Sequence, residues 1–110
     1  MAMDQIQTTE LFRVLADPTR RGLFERLSRE GDLTVSALTL GAHVSQPSVS
    51  EHLKALRSVG LVTDERQGRQ VIYRARAGGL APLMNWLGHY EGFWRKRFNQ
   101  MEDLLKEMDQ

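Results

Sequence analysis

The stretch from Ser45 to Gly60 constrains this chain more than any other. Ser45 offers a hydroxyl to the orphan amides of a helix start, Pro47 suits a first turn, and Gly60 supplies a stop. Between them Val49, Leu53 and Leu56 fall at i, i+4 and i+7, a single apolar stripe. A helix with one stripe buries one face and presents the other. The presented face reads Gln46, Ser48, Glu51, Lys54 and Ala55, with His52 and Arg57 at its flank, all short or polar or basic.

The segments on either side supply neighbours for that helix. Thr8 and Thr9 offer a capping hydroxyl to a first helix carrying Leu11, Phe12 and Leu15. Asp17-Pro18 ends it and starts a second, to about Ser28, with Leu23, Phe24 and Leu27 facing inward. After the break at Gly31-Asp32, Thr34 caps a third helix whose apolar face is Val35, Leu38 and Leu40, and Gly41 to Val44 is only a turn. Beyond Gly60, Leu61-Val62-Thr63-Asp64-Glu65 and Gln70-Val71-Ile72-Tyr73-Arg74 read as strands joined by Arg66-Gln67-Gly68-Arg69, a hairpin with two basic residues beside its glycine.

From about residue 80 to 108 the pattern is helical again, with Leu83, Leu87, Tyr90, Trp94, Phe98, Met101, Leu105 and Met108 three or four apart. Trp86, Phe93 and the stem of Arg97 add a second row, wider than docking onto one small domain requires. A lone helix of over about 25 residues is stable only when packed, and an exposed patch with two Trp invites association. The pattern predicts that this helix packs against a copy of itself.

The chain has 110 residues, 41% hydrophobic and 26% charged, one ordinary domain over 1–110. No apolar run approaches the roughly 20 residues that span a bilayer, and the start has no signal-peptide pattern, so a soluble, cytoplasmic protein without membrane contact is expected. There is no Cys, which removes disulfides, thiolate nucleophiles and thiolate metal sites together. The net charge of +1 is unevenly spread. Lys54, Arg57, Arg66, Arg69, Arg74 and Arg76 stand against only Glu51, Asp64 and Glu65 in the stretch 45–76.

These parts compose a mainly α chain with a β-hairpin wing: a winged helix-turn-helix, with the helix-turn-helix over about 34–60, the wing over 61–76 and a long helix over 80–108. A recognition helix meets base edges with its first turns, which therefore need short side chains that donate or accept, as Gln46, Ser48 and Ser50 do. Ser45 and the amides at the helix start suit a phosphate, and Pro47 in that first turn is counted with the DNA-facing residues. Glu51, His52 and Lys54 continue the same face. Arg66 and Arg69 are long enough to enter a minor groove, where width and charge are read. The pattern thus points to double-stranded DNA as partner, the bland alternative being that Ser45 only caps and the Arg pair only solubilises.

Three stretches together resemble the ArsR/SmtB family of bacterial regulators, over nearly all of residues 8–108: Leu15-Ala16-Asp17-Pro18-Thr19-Arg20-Arg21, then Ser45-Gln46-Pro47-Ser48-Val49-Ser50-Glu51-His52-Leu53-Lys54-Ala55-Leu56, then Gly60-Leu61-Val62 through Gly68-Arg69 to Tyr73. The resemblance implies a transcriptional repressor acting as a homodimer on a pseudo-palindromic operator. It also implies that the first and last helices form the dimer, which assigns Leu11, Leu83, Trp86, Leu87, Tyr90, Trp94, Phe98 and Met101 to the interface. The Trp-rich last helix is more similar to a metal-independent branch whose members often repress their own operon. One departure is His43, where the family often has Gly; it is expected to take the left-handed turn itself.

The family's metal-sensing members use Cys near the third helix, absent here, or ligands on the last helix. That second pattern puts His89, Glu91 and Glu102 in register but Leu105 in the fourth place, whereas zinc takes four protein ligands, or three and a water. No metal and no cofactor are expected, and His89 reads as an interface residue. Nor is there a phosphate loop or a nucleophile with a relay, so no enzyme is expected. Two other readings use the same parts: a winged-helix protein-interaction module, which needs no basic wing, and a metal-responsive repressor. A small-molecule effector is not identified by any residue.

Overall fold

A computed structural model describes residues 3–109, with side chains from Gln5. Six residues after that first side chain, at Leu11, the chain begins to enclose a core. In α1 (Met3–Ala16) Leu11 and Val14 turn inward, and the helix stops where Pro18 restricts the residue before it. Asp17 then caps α2 (Pro18–Glu30), its carboxylate accepting from the Arg20 N–H at 2.9 Å, with Pro18 at the first position. Leu23 and Leu27, one turn apart, are the buried face of α2.

The two-residue strand β1 (Leu33–Thr34) leads into α3 (Val35–Thr39), where the Thr34 hydroxyl accepts from the Ala37 N–H at 3.0 Å. After a tight turn, α4 (Gln46–Ser58) places Val49, Leu53 and Leu56 at 0% exposure. The hairpin β2 (Val62–Gln67) and β3 (Gln70–Ala75) follows, and β1 joins it in the sheet order β1-β3-β2, all antiparallel, with Leu33 opposite Tyr73 and Gln67 opposite Gln70. One core unites these elements: Leu11, Val14, Leu23, Leu27, Leu38, Val49, Leu53, Leu56, Leu61, Val62 and Tyr73. Two further helices, α5 (Ala81–Gly88) and α6 (Glu91–Met108), carry no buried residue and extend the molecule to 64 × 38 × 20 Å.

The structure changes several expectations. The first helix begins ahead of Thr8 and Thr9, and the Thr9 hydroxyl donates back to the Gln5 carbonyl at 2.9 Å instead of capping. Leu40 is 76% exposed, because α3 ends at Thr39 and Leu40 has left the helical period. The strand at Leu33 was not expected, since two residues show no alternation. The loop of the hairpin contracts to Gly68-Arg69, so Arg66 and Gln67 belong to β2.

The long terminal helix is broken in two. His89 N–H is shared between the Asn85 and Trp86 carbonyls at 3.3 Å each, and Tyr90 N–H reaches Leu87 at 3.1 Å, bonds that tighten the turn. Gly88 and Gly92 flank this point, each costing a helix about 1 kcal/mol relative to Ala. Leu11, expected between subunits, is 2% exposed in the protomer's own core, and its neighbour Phe12, 46% exposed, reaches the outer face, as does Ile6.

Candidate nucleic-acid interface

The start of α4 is built as a polar edge by its cap. Ser45 holds extended backbone and its hydroxyl accepts from the Ser48 N–H at 3.3 Å, so the helix opens with Gln46 and Pro47 standing in solvent. Glu51 and Lys54, one turn and two turns further, are exposed on the same side, with Lys54 Nζ 3.5 Å from Glu51 Oε1. Ser48 and Ser50 are half-buried at the two margins. The turn that delivers the chain to this edge is Gly41 to Val44, and there His43 takes φ 58°, the left-handed conformation expected of it.

The wing tip stands apart from the core. From Thr63 to Gln70 every residue is exposed. Gly68 has φ 61° and Arg69 does not share the positive sign, the pattern of a type II′ hairpin turn, which a side chain at position 68 would strain. Arg66 Nε donates to the Gly68 carbonyl at 3.4 Å, folding its guanidinium against the tip, and Arg69 projects from the turn.

Ion pairs fix the wing to the body. Arg57, in the last turn of α4, meets Asp64 on β2 at 2.6 Å, and Arg74 on β3 lies 3.2 Å from Asp32 and 3.3 Å from Glu65. Beneath them the Tyr73 hydroxyl is held above its ordinary pKa, first by burial and then by the Asp64 charge, against the opposing pull of Arg57. Of the six cations in 45–76, Arg57 and Arg74 thus act as struts, Lys54 pairs with Glu51, Arg76 donates to the Gly60 carbonyl at 3.4 Å, and Arg66 and Arg69 at the wing tip meet no carboxylate among the described residues.

His52 is placed differently from the other expected DNA-facing residues. Its side chain, 20% exposed, is turned into the seam between α4 and α2, where Nδ1 accepts from Arg20 Nε at 3.2 Å and lies 3.9 Å from Asp17 Oδ2. The reason is helical spacing: His52 follows Ser48 by four residues and precedes Leu53, so it falls on the margin of the stripe. Asp17 titrates below the ordinary carboxylate range, chiefly because it accepts the Arg20 N–H, with the charges of His52 and Arg20 adding to that against burial.

Two contributors were not anticipated from sequence. Arg26 on α2 donates to the carbonyls of Leu38 at 3.2 Å and Leu40 at 3.0 Å, closing the end of α3. Arg20 does the corresponding work for α4. The signal that could have marked them is their position on α2 beside Leu23 and Leu27, where a long cation borders the buried face.

On the terminal arm, Phe12 and Trp86 meet edge to face with centroids 5.4 Å apart, and Trp86 and Tyr90 lie 5.2 Å apart, lining a cleft of about 640 Å3 between α1 and α5. His89 Nδ1 lies 3.5 Å from the Asn85 carbonyl, and Glu91 pairs with Arg95, so two residues of the family's metal register have partners on their own helices.

A family model described as a helix-turn-helix domain matches residues 15–65. The chain is 45% identical over 75 residues to the HTH-type transcriptional repressor SmtB of Mycobacterium tuberculosis, a match covering 68% of this chain and 55% of that protein. It thus spans little more than half the length of the first such relatives. The HTH-type transcriptional regulator Rv2034 of the same organism is 37% identical over 94 residues, 86% of this chain and 84% of that one. Among solved structures, an ArsR family transcriptional regulator, RHA00566, superimposes with a TM-score of 0.76 at 33% identity, covering 86% of this chain and 97% of the other. With the fold, the capped polar helix and the basic wing in hand, these matches place the chain: it belongs to the ArsR/SmtB family of winged helix-turn-helix regulators.

Proposed function

We propose that this protein is a sequence-specific, double-stranded DNA-binding transcriptional repressor that works as a homodimer on a pseudo-palindromic operator in the cytoplasm, without catalysis and without a metal or other cofactor. The observation that carries the reading is the pairing of two exposed features on one body. The polar start of α4 carries Ser45, Gln46, Pro47, Glu51 and Lys54, with Ser48 and Ser50 at its margins, and the wing tip carries Arg66 and Arg69. The first suits base edges in a major groove, the second the phosphates and minor groove beside it. Repression is supported by the name of the SmtB relative.

The arm supplies the reason for a dimer. Trp86, Leu87, Tyr90, Trp94, Phe98 and Met101 are all at least 42% exposed, while Leu83 is partly packed on the core. An isolated chain would hold this apolar strip in water, and a second copy removes it. Along α6, Arg95, Lys96 and Arg97 precede the midpoint at Asn99-Gln100, and Glu102, Asp103 and Glu107 follow it, with Glu91, which pairs with Arg95, and Lys106 the exceptions. Laid antiparallel on its copy, the basic half meets the acidic half and Trp94 comes level with Leu105. Two-fold symmetry then offers two recognition helices to half-sites about 34 Å apart.

The test is a gel shift against the DNA upstream of the protein's own gene in excess competitor. The reading expects a complex that survives competition, and Ser48→Ala is expected to change which bases are preferred more than it changes non-specific affinity. A complex equally strong on unrelated DNA contradicts it.

A further inference from the structure

Both helices of the helix-turn-helix hang from α2. Arg26 grips the end of α3 through carbonyls, and Arg20 grips the middle of α4 through His52. The Arg20 residue is itself held at both ends: its backbone N–H donates to Asp17 Oδ2 at 2.9 Å and its Nε donates to His52 Nδ1 at 3.2 Å. Asp17 also terminates α1, so the chain that leaves the arm-facing helix is tied within one turn to the helix offered to DNA.

The stripe Val49, Leu53 and Leu56 fixes how deep α4 sits, but apolar contact has no preferred direction, and a stripe of three tolerates some rotation of the helix about its axis. A hydrogen bond is directional and weakens steeply when bent. The link at His52 lies on one flank, mid-helix, and the Arg57 pair with Asp64 at 2.6 Å anchors the last turn. Gln46 lies six residues, about 9 Å, along the axis from His52. A small rotation there moves the polar edge by more than a base contact accepts.

Resting on the DNA-binding reading above, we infer that His52 is a positioning residue: it takes no part in the DNA contact but, by accepting the Arg20 hydrogen bond at Nδ1, fixes the rotation at which α4 presents Gln46, Ser50, Glu51 and Lys54 to the groove. The element required at position 52 is an acceptor at the δ position on a short side chain, not an imidazole as such.

The experiment compares His52→Asn, whose Oδ1 takes the place of Nδ1, with His52→Gln, whose acceptor lies one bond further out, and His52→Leu, which has none. Operator and non-specific affinities are measured for each across a salt series in the full-length dimer. The Asn variant is expected within about twofold of the wild type, and the Leu and Gln variants about tenfold weaker on the operator, or about 1.4 kcal/mol. Non-specific affinity, salt slope and unfolding midpoint stay unchanged. Arg20→Leu in the His52→Leu background adds no further loss.

In the free protein, NMR should show a protected Arg20 Nε–H in the wild type and the Asn variant and not in the Gln variant, a readout that needs no DNA and survives failure of the Leu variant to fold. An Asn variant as weak as the Leu variant, additive losses in the cycle, or a salt slope that falls with His52 each overturn the inference while leaving the DNA-binding reading intact. A wild-type chain with no operator preference overturns that parent reading, and this inference with it.

Discussion

From Leu11 to Tyr73 the core residues of the body are 6% exposed or less, whereas from Met84 to Met108 the large apolar residues are 42% exposed or more. The helices of both regions carry apolar residues three or four apart, Leu and Val in the body and mostly aromatic residues, Leu and Met in the arm. The body closes on itself because its helices are short, capped and joined by tight turns, so that the stripes of α2, α3 and α4 converge on β3 and Leu61. The arm has no such closure: α5 lies along α1 as far as the Phe12–Trp86 contact, and α6 then leaves the body with its large apolar residues exposed. A periodic stripe therefore records that a face will be covered, and only the topology says whether the same chain covers it.

The largest effect expected from this contrast lies in the core. Leu53→Ala, at 0% exposure, removes packing from every helix around it and should cost about 2–5 kcal/mol in urea unfolding, at any protein concentration. Leu105→Ala, 58% exposed, should leave the unfolding of a dilute sample nearly unchanged and lower the midpoint only where the dimer is populated. A concentration-independent loss at Leu105 equal to that at Leu53 would mean the arm is folded onto its own body.

A smaller effect separates the struts from the free cations. Arg69→Ala should weaken binding to most sequences and reduce the salt slope by about one, because a groove or phosphate contact releases counterions. Its unfolding curve should not move. An unchanged salt slope would remove the wing from the interface.

The smallest effect belongs to the cap of α2. Asp17 titrates below the ordinary carboxylate range, so its contribution to stability is complete above about pH 4 and is lost as pH falls through the lower folded value. Asp17→Asn should flatten the acid limb of a stability profile and leave it unchanged near neutrality apart from a constant offset. A wild-type limb that rises on acidification would contradict the assignment.

How much of this was legible in the sequence depended on the range of the signal. The caps Asp17, Thr34 and Ser45, the stripe of α4 and the left-handed His43 are local, set by neighbours within a turn, and all stand as read. Leu40 and Thr8 misled because a period says nothing of where a helix starts or stops. The break at His89-Tyr90 was hidden by a stripe that continues across it, the two glycines being its only trace. Leu11 was assigned to the interface because the family resemblance puts the first helix there, and whether Leu11 or its neighbour Phe12 faces inward depends on where the rest of the body lies. His52 is the same problem in polar form: no spacing reveals that its partner is Arg20, which lies 32 residues earlier.

The central claim is that the exposed arm is the dimer interface and that DNA recognition by the body depends on it. Trp94, 53% exposed in the middle of α6, never meets DNA in this account. Trp94→Asp places an unpaired charge in a face that must become dry, a cost of several kcal/mol and enough to dissociate a modest dimer. Sedimentation equilibrium and an operator gel shift on the same folded variant are the direct measurement. The account predicts a monomer that loses specific binding, since one subunit reaches one half-site. A folded Trp94→Asp monomer with wild-type operator affinity would contradict the dimer mechanism, and a variant that stays dimeric would move the interface off α6.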